Sequence, residues 1–506
     1  MSANLLTGTV LGLDFEPVDV EIDIMNGLPG FVIVGLPDAA VQEAKERVKA
    51  AIKNSGFDFP RTHIIANLAP ADIKKEGPLF DLPIALGILS AMGAFPREAL
   101  GTDSLFFGEL ALDGSVRGIN GALPLALGAK KRGLKNIFLP AANAKEAGLV
   151  PGLTIFPIAN LGELAIHLQG GQAIQPLAPD LPNSAPEPKY DYDFAFIRGQ
   201  DHAKRALEIA AAGGHNLLFS GPPGAGKTLL ARSLPSILPP LTPEETLEVT
   251  QIWSVAGELP KDAPLISIRP FRSPHHTSSA VALVGGGSFP RPGEISLAHR
   301  GVLFLDEFPE FQRSVIENLR QPLEDGFVTI SRMAGTVRFP ARFILVAAQN
   351  PCPCGYFGEH TKPCSCSPGR ILNYQKKISG PLLDRIDLQL KLPQVPISDL
   401  SGQIVAEASL EIRKRVIAAR DLQNLRFKNS TLVTNSEMSP QLLKQYCPLG
   451  GDAQKLLTTA AEKLKLSARA YFRLIKISRT IADLSASQNI ETPHIAEALQ
   501  YRDLTS

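Results

Sequence analysis

The sequence predicts an α/β protein of several domains, and three observations carry that prediction. Its 506 residues exceed what one hydrophobic core usually organises. Short apolar runs suited to strands alternate with stretches of helical period until about residue 395, after which the strand signal fades. Between Gly170 and Asp193 the stretch "GGQAIQPLAPDLPNSAPEPKYDYD" holds five prolines and sustains neither period, which marks a linker.

Four segments follow in order. Residues 1–168 mix runs such as "FVIVGL" and "NIFLP" with amphipathic helices. In "DAAVQEAKERVKAAIKNSG", Val41, Ala44, Val48, Ala51 and Ile52 recur at helical spacing, Asp38 caps the start and Gly56 ends the helix. Residues 169–193 are the linker. Residues 194–395 place the apolar strands "NLLFS", "GVLFLDE" and "FILVAAQ" between helices, the pattern of a parallel sheet covered on both faces. Residues 396–506, with stretches such as "SGQIVAEASLEIRKRVIAARDLQ", predict a helical domain.

Composition narrows the class. Hydrophobic residues make up 44% and charged residues 20%, the balance of a globular protein. The net charge of +1 leaves no global attraction for nucleic acid, so any such binding needs a local patch. The N-terminus carries acids where a signal peptide would be apolar, and the longest apolar run, "IALGILSAMGAF", is too short to span a bilayer. The expectation is a cytoplasmic protein without membrane association. There, clustered cysteines serve as metal ligands or redox groups more readily than as disulfides.

The strongest chemical signal is "NLLFSGPPGAGKTLLARSL", residues 216–234. A buried strand, Gly-x-x-x-x-Gly-Lys-Thr and a helix form a phosphate loop. Gly221, Pro222, Pro223, Gly224, Ala225, Gly226, Lys227, Thr228 and Leu229 make up the cradle for ATP. Its backbone N–H groups face phosphate oxygens, Lys227 adds charge and the Thr228 hydroxyl serves Mg²⁺. Further on, "GVLFLDEF" delivers Asp306 and Glu307 at a strand end, one for the Mg²⁺ shell and one to orient or deprotonate water.

"GQDHAKRALEIAAAGGHNLLFSGPPGAGKT", "RPGEISLAHRGVLFLDE" and "SGPLLDRIDLQ" resemble the ComM/YifB family of magnesium-chelatase-like AAA+ ATPases, over essentially the whole chain. The resemblance implies an AAA+ core with parallel sheet and a C-terminal helical lid. It also implies that Asn350 is the sensor placing the lytic water, that Arg385 is an arginine finger for a neighbouring subunit and that Arg469 is the second sensor, with Arg473 as its competitor. A shared site implies a ring, by family a hexamer. Arginine suits these roles as a planar, permanent cation.

Residues 266–300 carry four arginines, three histidines and one acid, Glu294, between the phosphate loop and the acidic pair. Related ATPases carry an insertion there that faces the ring pore. With the hairpin "EDGFVTISRMAGTVRFPARF", this region predicts DNA contacts through Arg269, Arg272, Arg291, Arg332 and Arg338. Anchoring of loops to neighbouring subunits is the other use for such arginines.

Cys352, Cys354, Cys364 and Cys366 form two Cys-x-Cys pairs directly after Asn350. Four thiolates suit tetrahedral Zn²⁺, and the surrounding glycines and prolines suit a loop ordered by metal, although one-residue spacing is tighter than the common zinc knuckle. Disulfides and reduced packing are the alternatives. Cys447 stands apart and reads as packing.

Residues 107–147 resemble the proteolytic domain of Lon, an S5-type α+β fold, and the C-terminal domain of RadA. In "KKEGPLFDLPIAL" the nucleophile's slot holds Leu79, and the lysine slot falls near Leu123. Leucine cannot be a nucleophile, so the domain lacks the catalytic dyad and serves assembly or substrate guidance. The leading expectation, mostly inherited from the family, is a hexameric DNA motor driving branch migration on branched, single- or double-stranded DNA during recombination and natural transformation. The alternatives are the ATPase partner of a metal-chelatase complex and a protein-remodelling ATPase.

Overall fold

The computed structural model describes all residues except 1, 179–189, 261–262, 288, 333–334, 360–361, 395–405, 429, 431 and 503–506. Part of the linker and the start of the expected lid therefore lie outside the described residues. The N-terminal region begins with a long antiparallel hairpin, Ser2–Leu11 and Asp14–Met25, continued by His63–Ala69 and, parallel to it, Gly30–Val34. The helix Ala39–Asn54 packs here, with the Asp38 carboxylate accepting the Val41 N–H at 2.8 Å and all five periodic residues buried. The apolar run noted in the sequence becomes the helix Asp81–Ala91, buried along its whole length. Among the described residues no helix is long and apolar enough to cross a membrane. A second, parallel sheet of Ser104–Phe106, Asn136–Pro140 and Thr154–Ile158 completes the region.

Ile174 is buried in the N-terminal core, while the Arg413 guanidinium lies 4.9 Å from the Tyr190 ring and the Arg232 guanidinium 5.5 Å from that of Tyr192. Aromatic rings thus bind the linker's end to the next domain, an attraction that composition does not display.

That domain is built on five parallel strands in the order Phe271–Arg272, Val302–Leu305, Ile344–Gln349, Leu217–Ser220, Leu388–Lys391. Alternate residues feed two cores. Leu217, Phe219, Val302, Phe304 and Val346 join the cluster shared with the C-terminal helices, while Leu218, Leu303, Leu305, Leu345 and Ala347 join a cluster on the opposite face. Burial on both faces explains the continuous apolar runs. The C-terminal region is helical, with Ser409–Arg426, Gly451–Lys463, Ala468–Leu484 and Thr492–Gln500 as its longer elements.

The N-terminal region docks on the helix Pro243–Ala256. Gln251 donates to the Leu13 carbonyl at 2.8 Å, Gly121 N–H donates to the Ser254 carbonyl at 3.2 Å, and the Ser254 hydroxyl donates to Glu146. Glu146 also accepts the Leu123 N–H at 2.8 Å.

Candidate functional site

The site is assembled at the carboxyl ends of three neighbouring strands, where parallel sheets present ligand-binding loops. After Ser220 the chain makes the phosphate loop, with Gly224 and Gly226 at φ +80° and +85°, conformations that a Cβ would strain. Gly221 is fixed for a different reason: a Cβ would stand 2.5 Å from the Leu392 carbonyl oxygen. The helix Lys227–Ser233 then begins. Lys227 is buried, and its Nζ donates to the Pro222 carbonyl at 3.0 Å, to the Gly221 carbonyl and to Asn350 Oδ1 at 2.9 Å. Burial pushes the Lys227 amine below its ordinary pKa, opposed by Asp306 and Glu307.

The strand Val302–Leu305 delivers Asp306 beside Thr228, whose hydroxyl donates to Asp306 Oδ2 at 2.9 Å. This pair suits Mg²⁺, a hard cation that takes oxygen ligands. Glu307 follows in a left-handed conformation, φ +51°, its carboxylate half exposed. Gln200 was not foreseen. Its amide joins the phosphate loop to the last sheet strand's exit, donating to the Ala225 carbonyl at 3.3 Å and the Pro393 carbonyl at 2.8 Å. Its own φ of +56° gives no sequence signal.

The expected finger and second sensor meet on one acid. Arg385, buried, donates to Glu324 and to the Pro381 carbonyl, and Arg469 lies 3.6 Å from the same Glu324 carboxylate while remaining 59% exposed. Arg385 therefore does not project as a free finger in the single chain. Arg473 lies 3.3 Å from Asp387. Burial alone would raise the Asp387 pKa, but Arg473, His215 and the Asn216 N–H hold it well below the carboxylate range.

Two predicted DNA contacts require correction. Arg269 is turned inward, donating to the Pro239 and Arg300 carbonyls at 2.6 and 2.7 Å and to Glu245 at 2.8 Å. Arg272 forms a two-toothed pair with Glu294 at 2.6 and 2.7 Å and reaches Glu258 at 2.9 Å. The acids Glu245 and Glu258 lie outside the window in which charge was counted, so an apparent excess is internally neutralised. Arg291, 59% exposed, stands 3.9 Å from Glu76. Arg332 and Arg338 are exposed on the hairpin Phe327–Arg332 and Gly335–Pro340, with Arg338 stacked 4.9 Å over Phe327.

The four cysteines converge. Their sulfurs lie within 4.8 Å of one another, with Cys352–Cys354 at 3.3 Å, Cys354–Cys364 at 3.5 Å and Cys352–Cys364 at 3.7 Å. Tetrahedral Zn–S bonds of about 2.3 Å imply sulfur separations of about 3.8 Å, so the donors fit that ion with slight opening. Backbone N–H groups of Tyr356 and Ser365 pull the Cys354 thiol down to about 5, whereas Cys364, beside Cys354 and Cys352, is pushed up to about 12 and Cys366 is also raised, so of these three Cys354 is the one disposed to ionise first. All five cysteines are free, and Cys447 is buried in the core shared with the C-terminal helices. The loop abuts the phosphate loop: a Cβ on Gly355 would stand 2.6 Å from Pro223.

A five-stranded parallel sheet with a phosphate loop, a strand-end acidic pair and a helical C-terminal region defines an AAA+-type ATPase. Profiles described as magnesium chelatase, subunit ChlI, match residues 193–400; those for subunit ChlI of Mg-chelatase and for the ChlI C-terminal region match 20–143 and 406–502. The chain is 44% identical to the uncharacterized protein YifB of Salmonella typhimurium, covering 98% of this chain and 96% of that one. It is equally identical to competence protein ComM of Haemophilus influenzae, covering 97% and 96%. The chain belongs to the magnesium-chelatase-like ComM/YifB family. A Lon protease of Mesomycoplasma hyopneumoniae is 31% identical over 28% of this chain, a likeness lying in the N-terminal region.

The Arg269 geometry gives a test. Arg269→Ala removes the bonds to Glu245 and to the Pro239, Pro240 and Arg300 carbonyls while Glu245 keeps Arg300 at 3.6 Å, so it should lower stability by about 2 kcal/mol. Arg332→Ala should leave the melting temperature unchanged, as thermal denaturation of both variants will show.

Proposed function

We propose that this AAA+ ATPase is a DNA motor acting as a hexameric ring, and that it drives branch migration and heteroduplex extension during recombination in competent cells. The carrying observation is that the insertion and the hairpin, which expose Arg291, Arg332 and Arg338, adjoin each other. A Cβ on Gly286, in the insertion that holds Arg291, would stand 3.4 Å from Arg332 Nη2 of the hairpin. Exposed arginines on both elements, of which Arg291 would exchange Glu76 for phosphate, suit salt-sensitive contact with a DNA backbone. The competence designation of the relative in Haemophilus influenzae supports a DNA substrate.

In the hydrolytic step the phosphate loop and Lys227 bind the β- and γ-phosphates. Thr228 and Asp306 would hold Mg²⁺, which neutralises charge on those oxygens when bound. Asn350, tied to Lys227, orients the attacking water, and Glu307 takes its proton. Arg385 and Arg469, gathered on Glu324, serve a neighbouring subunit's γ-phosphate once ring assembly draws them off that acid. Cys352, Cys354, Cys364 and Cys366 hold structural Zn²⁺.

ATP turnover measured with no cofactor, with branched DNA and with unfolded polypeptide should rise with DNA, and that rise should fade between low and moderate salt. Stimulation by polypeptide alone would reassign the motor to protein remodelling; copurification with a metal-inserting subunit would favour a chelatase complex. Glu307→Gln should bind ATP without turnover.

A shared site makes a separate demand. Mixing inactive Arg385→Ala with inactive Lys227→Ala should restore part of the ATPase rate, because a mixed ring contains interfaces with an intact loop facing an intact finger. Stable mixed rings without recovery would refute the shared site.

Metal analysis should find about one zinc per chain. Cys364→Ser combined with Cys366→Ser should lose the metal and melt earlier. Metal-free wild-type protein of undiminished stability would refute the zinc reading.

A further inference from the structure

At the amino-terminal ends of the sheet strands, opposite the phosphate loop, a cavity of about 480 Å³ lies between the ATPase core and the C-terminal helices. Asn216, Gly301, Ile344 and Asp387, at or just before the starts of four strands, line it. Its volume falls within the range of about 300–1,000 Å³ usual for small-molecule sites.

The lining is rich in charge, and most of that charge is matched within the fold. Glu245 holds Arg269 at 2.8 Å and Arg300 at 3.6 Å, Glu437 holds Arg342 at 2.9 Å, and Asp387 holds Arg473 at 3.3 Å. Glu324 is taken by Arg385 and Arg469, and Asp325 is exposed to solvent. Two lining cations remain. Arg420, on the helix Ser409–Arg426, donates through Nε and Nη2 to a single acceptor, the Ala211 carbonyl, at 3.2 and 2.8 Å. Lys476, on the helix Ala468–Leu484, donates to the Ser436 carbonyl at 2.7 Å. Among the described residues neither has a carboxylate within ion-pair distance.

Carbonyls satisfy the hydrogen bonds of these groups and leave their charge unbalanced. Burial, with the like charges of Arg269 and Arg300, pushes the Arg420 guanidinium down to about 10 against Glu245 and Glu437. Burial lowers the Lys476 amine as well, opposed by Asp387. Cations withdrawn from water without a counter-ion are costly, so the cavity favours an anion. Two unmatched positive charges call for about two negative ones, which one phosphate monoester carries near neutral pH. A guanidinium fork also matches phosphate oxygens in shape. Leu238, Phe343, Leu432 and Met438 add apolar wall for the rest of such a molecule.

We propose that this cavity is a second anion-binding site, separate from the phosphate loop, which takes a phosphorylated small molecule against Arg420 and Lys476. Arg269 and Arg300 border it from the core, and Arg420 and Lys476 from the C-terminal helices, so an occupant ties the two together. The site is independent of the reading of the protein as a DNA motor. A free nucleotide and inorganic phosphate share the chemistry it recognises, and the nucleotide alone uses the apolar wall.

The test is isothermal titration calorimetry of the full chain carrying Lys227→Ala, which removes the cation of the phosphate loop. The probes are adenosine 5′-monophosphate, inorganic phosphate and adenosine. Both phosphorylated probes should bind saturably and adenosine should not. Adding Arg420→Gln or Lys476→Met should weaken the Kd about tenfold, the worth of one charge-assisted hydrogen bond. Binding left at the phosphate loop is common to parent and variants and cancels from that comparison. Tighter binding of the nucleotide than of phosphate assigns the apolar wall to its base; equal binding assigns the site to free phosphate, and both outcomes support it. Ligand-free Lys476→Met should melt no earlier than its parent, because an unpaired ammonium gives way to an apolar chain of similar length. If Arg420→Gln fails to fold, Lys476→Met carries the test.

Absence of saturable binding by either phosphorylated probe overturns the site. Binding that Arg420→Gln and Lys476→Met leave unchanged overturns it too, since the anion then sits elsewhere. Adenosine binding as tightly as its monophosphate removes the phosphate from recognition. A ligand-free Lys476→Met that melts markedly earlier makes the ammonium a structural group and overturns its part in the site.

Discussion

The site depends on the register of three parallel strands. Ser220 lies opposite Gln349, and Leu305 lies opposite Ala347. The next residues to leave the sheet are Gly221, Asn350 and Asp306, so the phosphate loop, a polar amide and a carboxylate emerge together. A slip of one residue would send alternate side chains to the wrong face of a sheet buried on both sides. Packing therefore enforces the register, and the ammonium of Lys227 beside Asn350 Oδ1 is its chemical product. Unpaired, that buried amine would be costly; three oxygens satisfy it.

At the opposite, amino-terminal edge of the same sheet, charge performs a different task. Asp387 precedes the strand Leu388–Lys391 and accepts the Asn216 N–H at 3.0 Å, just before the strand Leu217–Ser220. Arg473 reaches it from the helix Ala468–Leu484, so a buried carboxylate joins sheet and lid. Glu324 beside it gathers Arg385 from the core and Arg469 from that same lid helix. One carboxylate thus ties an arginine of the core to an arginine of the C-terminal helices. Glu324 is half exposed, so releasing those arginines from it costs less than separating a fully buried pair.

What the sequence disclosed follows from how far each interaction reaches along the chain. The helix Ala39–Asn54 was readable because its cap and apolar stripe are local, and the four cysteines because they lie within fifteen residues. The phosphate loop and acidic pair each carry their chemistry in one short string. Arg269 and Arg272 were misread because Glu245 and Glu258 sit on or beside another helix, and counting charge in a window treats folded neighbours as absent. His276 was visible only as one of three histidines in a basic stretch. Its place 3.2 Å from Glu307 comes from the pairing of two strands, which no local pattern encodes.

The N-terminal region shows how a fold outlives one chemistry and acquires another constraint. Leu123, at the lysine slot of the Lon-like pattern, is buried and contributes its backbone N–H to Glu146. Glu146 accepts in turn from Ser254 of the ATPase core. Around Leu79, at the nucleophile slot, a cavity of about 340 Å³ is walled by Gly77 and Gly118 on one side and by Phe289, Pro290 and Arg291 of the insertion on the other. Lys74 lies 4.8 Å over the Phe289 ring, and Arg291 faces Glu76. Where the Lon-like pattern has its dyad, this chain has leucines and contacts to its own ATPase core. The insertion thus lies against both regions: His276 stands 3.2 Å from Glu307, and Phe289 and Arg291 meet Lys74 and Glu76 of the N-terminal region. The cavity at the Lon-like nucleophile slot is therefore closed on one side by a segment of the ATPase core.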